Sequence, residues 1–249
     1  MVDAAGIKTN SRQCLLSAAL VSAVIVPQIG IGLSVPSLPS VAGSFDLSIE
    51  SAQTTLIVYM AGYAVSVLLA GLMSDRIGPR NTQLLGLALA TIAAIVAALA
   101  WDFMSFTVAR FMQALGGCVG TVTTRLIVSK QYHVKDRMNI LTILASALAI
   151  TPCIAPLIGG MLLPVIGWRG IFFVIALISA STLIFFLFSS RSVKSYQPQT
   201  IPIQDIAAIY LRHLMMPRFM LYATALSLVW KAYLPSCLFH RGRYKYNLE

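Results

Sequence analysis

Six long apolar runs separated by short polar segments constrain this chain more than any other feature of its sequence. They cover about residues 14–35, 54–73, 84–100, 103–128, 140–166 and 170–188. Each run is close to the roughly 20 residues that an α-helix needs to cross a bilayer at about 1.5 Å per residue. A helix also satisfies every backbone hydrogen bond internally, as lipid requires. The sequence therefore predicts an all-α membrane protein, with these runs as spans one to six.

The composition supports a membrane location and argues against other classes of protein. Of the 249 residues, 58% are hydrophobic and 10% charged, and the mean hydropathy is +0.82, so the lipid bilayer is the expected surrounding. A formal net charge of +10 could suggest a nucleic-acid partner. The basic residues are spread over short loops and form no continuous face, so no nucleic acid is expected.

The distribution of basic residues predicts the orientation. If the N-terminus is cytoplasmic, twelve basic residues lie in inner segments and one, Arg169, lies outside. The inner residues are Lys8, Arg12, Arg76, Arg80, Arg125, Lys130, Lys135, Arg137, Arg191, Lys194, Arg212 and Arg218. We therefore expect a multi-pass protein with a cytoplasmic N-terminus.

The polar segments divide the chain into four regions. Residues 1–13 form a cytoplasmic leader, 14–188 the six-span bundle, and 189–217 a polar cytoplasmic linker. Residues 219–230 then supply only about a dozen apolar residues before Lys231 and Pro235, too few for a span. We expect residues 218–249 to be an interrupted seventh span with an aberrant tail, as in a truncated product whose C-terminal half is missing.

Neither a metal site, a cofactor nor an enzyme active site is expected from the sequence. The four cysteines are far apart in the sequence and form no C-x-x-C motif: Cys14, Cys118, Cys153 and Cys237. We expect them to act as small apolar packing residues. His133, His213 and His240 lie in polar segments, and serine, histidine and acidic residues do not converge.

The segment between spans two and three is a charged island, residues 71–80. Asp75 adjoins Arg76 near a helix boundary, where charges interact with the helix dipole. Gly78 permits backbone conformations closed to other residues, and Pro79 is expected to stop the preceding helix. The sequence predicts a tight turn at the membrane surface, with Gly71 and Arg80 at its limits.

Span four contains Arg110, the one basic residue well inside any of the six runs. A guanidinium at the bilayer centre costs roughly 2.5–3.5 kcal/mol or more unless it faces a polar interior, which predicts a functional intramembrane site with Gln113 one turn away. The alternative is that Arg110, about two turns from Asp102, extends to the outer surface.

Helix-breaking and small residues mark three other spans. Pro152 and Pro156 each remove a backbone donor from span five, and Gly159 and Gly160 admit a close neighbour, so this helix is expected to be bent and tightly packed. Pro27, Gly30 and Gly32 make span one either a cavity wall or a kinked packing helix. Gly62, Ser66 and Ala70 form a packing stripe on span two.

Three of these motifs resemble signatures of the major facilitator superfamily. Residues 71–80 match the loop 2–3 pattern G-x-x-x-D-R-x-G-x-R. Residues 110–116 are similar to R-x-x-Q-G-x-G of the fourth helix in proton-coupled members, with Ala114 in place of the glycine. Residues 151–160 resemble the fifth-helix pattern G-x-x-x-G-P-x-x-G-G of drug antiporters, with Ala155 at the second glycine.

The resemblance implies the six-helix N-terminal half of a twelve-span drug:proton antiporter of the bicyclomycin and chloramphenicol resistance type. It implies a bacterial inner (cytoplasmic) membrane location, a small-molecule substrate and protons as partners, and a latch role for Asp75 against the opposite half. The fold hosts many substrates. No Asp or Glu lies within the six runs, so the proton carrier would be Asp75 or a residue of the missing half. The alternative function is a non-transporting remnant or assembly partner.

Overall fold

The computed structural model describes residues 11–192 and the isolated positions 216, 220, 221 and 224. Within these residues all regular structure is helical. The helices are α1 (Ser11–Gly32), α2 (Leu38–Ser44), α3 (Ile49–Ile77), α4 (Pro79–Ala98), α5 (Phe103–Gly117), α6 (Val119–Gln131) and α7 (Val134–Ser189), followed by a 3-10 turn at Ser190–Ser192. They belong to the first of two compact units, Met1–Gln199. The predicted leader up to residue 10, the linker from residue 193 and the interrupted seventh span lie outside the described residues, apart from the four isolated positions.

Within residues 11–192, five helical stretches are long and apolar enough to cross a membrane. They are Gln13–Gly32, Ile49–Ile77, Pro79–Ala98, Phe103–Gln131 and Asp136–Ser189. The last holds 54 residues, roughly 81 Å of helix, which is enough for two crossings. Gly167 has non-helical angles (φ 67°, ψ 176°) and divides α7 into residues 134–166 and 168–189. The described helices thus supply the six predicted spans.

Helices occupy both sides of the charged island between spans two and three. The predicted turn consists of a single residue, Gly78. Helix α3 continues through Asp75 and Arg76 to Ile77, and Gly78 alone leaves the helical region, at φ 84°. Pro79 is the first residue of α4. Helix α3 ends before Pro79, as expected, and Pro79 fits the first position of the next helix, where its missing N–H would be unpaired anyway.

Two further features were not predicted. Span four is two helices, because α5 ends at Gly117 and α6 begins at Val119, with Cys118 between them. The loop between spans one and two contains α2, whose first turn includes Pro39. The start of α5 follows a standard capping rule, since the Asp102 carboxylate accepts hydrogen bonds from the backbone N–H groups of Met104 (3.1 Å) and Ser105 (3.2 Å).

Aromatic side chains hold together the end of the bundle at which α5 begins. Phe106 lies edge-on to Trp168 and Phe172, with ring centroids 5.6 and 5.2 Å away, and Phe45 packs on the same group. The Trp168 indole N–H donates to the Ser44 hydroxyl at 2.8 Å. Each such ring pair contributes about 0.5–1.5 kcal/mol beyond its buried area. The connections on this side of the bundle are therefore fixed to the helices.

Helix α3 packs through a single narrow stripe. Its buried residues are Ala52, Thr55, Tyr59, Gly62, Ser66, Ala70 and Ser74, three or four positions apart. A Cβ at Gly62 would lie 2.7 Å from the Phe111 carbonyl oxygen, and the Ser66 hydroxyl donates to the Leu115 carbonyl at 2.7 Å. The predicted packing role of this stripe is confirmed. The remaining apolar surface of α3, including Ile57 and Leu68, is exposed.

Candidate functional site

Arg110 lies in the interior of the six-span bundle. Asp102 fixes the start of α5, and Arg110 follows about two turns later on the buried face of that helix. Only 1% of its surface is exposed, and it is among the largest fully buried side chains. The guanidinium therefore does not extend to the outer surface, which was the alternative raised by the sequence.

Three neutral acceptors hold the guanidinium. Its Nη1 atom donates to the Gln113 Oε1 atom at 2.7 Å and to the Gly30 carbonyl at 3.2 Å. The Nη2 atom donates to the Ser34 hydroxyl at 2.9 Å. Gln113 is also buried and lies one turn further along α5. Arg110 and Gln113 are thus together, as the sequence spacing predicts, and the other two acceptors come from α1 and from the turn that follows it.

Two aromatic rings flank the same guanidinium. The Arg110 Cζ atom lies 4.3 Å from the ring centroid of Tyr59 on α3 and 5.4 Å from that of Phe172 on α7. Both distances fall within the range of cation–π attraction. The Tyr59 hydroxyl in turn donates to the Pro27 carbonyl of α1 at 2.9 Å. The site therefore joins four helices around one positive charge.

The sequence did not predict Tyr59, Ser34 or Phe172 as parts of this site. Ser34 and Phe172 carry no signal of their own, because their partner lies 76 and 62 positions away in the chain. Tyr59 could have been found, since it continues the small-residue stripe of span two three positions before Gly62. A polar ring on the packed face of a membrane helix needs a hydrogen-bond partner.

The span-five motif packs against the C-terminal end of α1 and the residue after it, next to groups that accept hydrogen bonds from Arg110. A Cβ at Gly159 would lie 2.7 Å from the Leu33 carbonyl oxygen, and a Cβ at Gly32 would lie 2.5 Å from the Ala155 Cβ. Helix α7 thus contacts α1 between Gly30 and Ser34, the two acceptors.

The other members of the motif take different places. Pro156 is half-buried beside Gly32. Pro152 and Gly160 are exposed, and a Cβ at Gly160 would meet nothing within 4 Å. The prediction that both glycines admit a close neighbour is therefore wrong for Gly160. Helix α7 continues through Pro152 and Pro156, and its non-helical residue is Gly167, so the bend at the prolines stays a prediction.

The predicted switch residues lie at the opposite end of the bundle from the aromatic group around Phe106: Gly71, Asp75, Arg76, Gly78 and Arg80. Asp75 and Arg76 are exposed in the last turn of α3. The Arg80 Nε atom donates to the Ser190 hydroxyl at 3.1 Å, which ties the start of α4 to the end of span six. The structure does not bring this loop together with Arg110.

An apolar groove opens between α1 and α7. It encloses about 230 Å³ and is lined by isoleucine, leucine, valine and alanine side chains together with Thr151. Ile29 and Leu33 in its wall adjoin Gly30 and Ser34 in the sequence. In the described part of the chain, no group of three or more histidine, cysteine or acidic residues could hold a metal ion.

Comparisons with known proteins place this architecture in a family. Residues 20–246 match the family model described as Major Facilitator Superfamily. The multidrug resistance protein MdtL of Shigella flexneri serotype 5b (strain 8401) is 29% identical over 188 residues, which cover 76% of this chain and 47% of that protein. MdtL of Escherichia coli O139:H28 is 28% identical over the same shares. The chain spans about half the length of these curated relatives.

Solved structures agree on the fold. A peptide transporter POT crystallised with sulfate superposes with a TM-score of 0.67 at 17% identity, over 92% of this chain and 46% of that one. The human organic anion transporter MFSD10 (TETRAN) gives a TM-score of 0.63 at 17% identity, over 80% and 53%. The six spans, the family match and these superpositions together show that the chain belongs to the major facilitator superfamily.

Proposed function

We propose that the chain is the N-terminal half of a secondary active transporter that exports small molecules by proton antiport. The observation that carries this proposal is the burial of Arg110 inside the bundle. Its side chain is 1% exposed and is held by acceptors that include groups of two helices. An ionisable side chain inside a membrane bundle is expensive and marks a functional site by default. The resemblance to multidrug resistance proteins supports export of drug-like molecules.

The polar site and the helix ends have separate roles in this proposal. Arg110 and Gln113 form the intramembrane polar site, and the loop from Gly71 to Arg80 acts as a conformational switch. In alternating access, one half of the fold rocks against the other around a site near the bilayer midplane. The exposed faces of α3 and α7 are where a second six-span half would pack, so transport requires that half.

The proton carrier is proposed to lie outside the apolar core of these spans. Asp75 at the inner surface is the candidate in this chain, with residues of the second half as the alternative. The membrane is proposed to be the bacterial inner membrane, with the N-terminus in the cytoplasm. The twelve-to-one distribution of basic residues supports this orientation.

Drug accumulation in cells tests the proposal. The chain is expressed together with the second half of the Escherichia coli relative, in a host without its own efflux pumps, and accumulation of labelled chloramphenicol is measured. We expect lower accumulation, restored by a protonophore and by Arg110→Ala. Arg125→Ala is the matched control, because Arg125 is exposed on the same span. Accumulation equal to that of cells without the chain would overturn the proposal and favour a non-transporting membrane protein.

A further inference from the structure

The acidic residues of this chain avoid the membrane core. All eight lie outside the six apolar runs: Asp3, Asp46, Glu50, Asp75, Asp102, Asp136, Asp205 and Glu249. Glu50 and Asp136 occupy the first turns of α3 and α7, Asp102 caps α5, and Asp75 lies in the last turn of α3. The core of these spans therefore contains one buried charge, that of Arg110, and it is positive.

Arg110 is not neutralised by its neighbours. Its acceptors are a carbonyl, an amide oxygen and a hydroxyl, and its flanking groups are the rings of Tyr59 and Phe172. A guanidinium has five N–H donors, and three of them are donated to acceptors in the described part of the chain. Hydrogen-bonding capacity therefore remains for an incoming acceptor.

A buried charge without a counter-ion favours the binding of ligands of opposite charge near it. At about 10 Å and an effective dielectric constant of about 20, a unit charge alters the affinity of another by roughly tenfold. In bulk water, with a dielectric constant of about 80, the effect is far smaller. An anion placed beside this bundle is stabilised by Arg110, and a cation is destabilised by the same amount.

We propose that the Arg110 site selects anionic amphiphiles, such as aromatic carboxylates, tolerates neutral hydrogen-bond acceptors and rejects organic cations. The inference rests on the proposed function, since it names the substrate class of that transporter's polar site. It concerns binding, and so it can fail or hold independently of transport.

Three probes of one shape test the charge preference. We suggest 2-naphthoate, 2-naphthamide and 2-naphthylmethylammonium, which carry negative, zero and positive charge at neutral pH on the same ring. Equilibrium dialysis measures their binding to the full chain in nanodiscs of zwitterionic phosphatidylcholine, with empty nanodiscs subtracted. We expect naphthoate to bind roughly tenfold more tightly than the ammonium, with naphthamide between them. Equal binding of the three, stronger binding of the ammonium, or no binding above empty nanodiscs would overturn the proposal.

Variants assign the preference to Arg110. Arg110→Gln should weaken naphthoate binding by about tenfold and leave naphthamide nearly unchanged, whereas Arg125→Gln makes the same charge change on the exposed surface of the span and should have little effect. If naphthoate binding survives in Arg110→Gln, the assignment to Arg110 is wrong.

A second variant keeps Arg110 in place, so that a lost preference cannot be attributed to misfolding caused by replacing Arg110. Ser34→Asp puts a carboxylate where the hydroxyl now accepts from Nη2 at 2.9 Å, so it should abolish the preference for naphthoate. Ser34→Asn has the shape of Ser34→Asp without its charge, so a naphthoate preference that is lower in Ser34→Asp than in Ser34→Asn assigns the loss to the added carboxylate. A preference unchanged in Ser34→Asp would overturn the proposal. Naphthoate selectivity in a chain that fails the efflux test would leave this inference standing and overturn the proposed function.

Discussion

At the scale of single residues, Arg110 is held by one partner on its own helix and by others that lie far away in the sequence. Arg110 and Gln113 were predictable because they lie three positions apart on one helix, and local spacing fixes their contact. Ser34 and Phe172 reach the guanidinium through tertiary packing, for which a single sequence carries no local pattern. The cost of burying a charge shows that partners must exist but does not identify them.

Tyr59 offers a test of how this site is held. Tyr59→Phe keeps the ring over Arg110 but removes the hydrogen bond to the Pro27 carbonyl. We expect it to lower the free energy of unfolding by about 0.5–1.5 kcal/mol, the usual net value of one hydrogen bond. Tyr59→Leu, which also removes the ring, should cost more. Thermal unfolding in detergent measures both, and equal losses would show that the ring contributes nothing.

Asp102 provides a pH-dependent contact at the N-terminal end of α5. Hydrogen bonds from Ser105, and from the backbone N–H groups of Ser105 and Met104, hold the pKa of this carboxyl below its ordinary value. A lowered pKa stabilises the fold above the ordinary pKa of about 3.9, and the stabilisation is lost as the pH falls through the folded-state value. Protection of the Met104 and Ser105 amides from hydrogen exchange should therefore fall on acidification. In Asp102→Asn this protection should not depend on pH; a parallel decline in the variant would implicate another group.

At the scale of helices, the number of spans followed from the sequence and several boundaries did not. Apolar run length predicts a crossing, but the charged residues at 75 and 76 remain helical, since Gly78 is the one residue of this island that leaves the helical region. Likewise, the residues of α5 and α6 form one continuous apolar run in the sequence, because Cys118 and the glycines before it are apolar or small. Hydropathy carries no information on where a helix is interrupted inside an apolar segment.

The two adjacent glycines of span five, Gly159 and Gly160, differ in how closely other residues approach them. Gly159→Ala would place a Cβ 2.7 Å from the Leu33 carbonyl, so α1 must shift and the acceptors Gly30 and Ser34 shift with it. Gly160→Ala meets open space and should stabilise the helix by up to about 1 kcal/mol. We expect a lower unfolding temperature for the first variant and an equal or higher one for the second. Equal effects of the two substitutions would show that the close approach at Gly159 is not limiting.

At the scale of the whole molecule, the predicted orientation can be measured directly. Thiols introduced one at a time at Ser195 and at Ser40, in a chain lacking its four cysteines, should differ in their reaction with a membrane-impermeant maleimide in intact cells. Ser40, exposed on α2, should react from outside, and Ser195 should react only after the membrane is opened. The opposite pattern would reverse the topology.

The position of Asp75 bears on how two halves of such a fold would move. A carboxylate in the last turn of a helix lies at the negative end of the helix dipole, which is unfavourable unless another positive group meets it. The first turn of a helix in a second half would be such a group when the cytoplasmic side is closed. Charge at a helix N-terminus contributes roughly 0.3–1 kcal/mol when exposed and up to about 2 when partly buried, enough to shift two nearly balanced states.

We therefore predict that Asp75→Asn, in a transporter completed by a second half, moves the population toward the inward-open state. Distances between spin labels on the two cytoplasmic ends, measured by pulsed electron paramagnetic resonance, report that population. A favourable contact of about 1 kcal/mol corresponds to a change of roughly fivefold in the ratio of the two states. Asp136→Asn removes the same charge from the first turn of α7, at a helix N-terminus that it already stabilises within its own half. That control should leave the ratio unchanged, and an equal shift in both variants would mean that surface charge in general, and not a latch at Asp75, sets the balance.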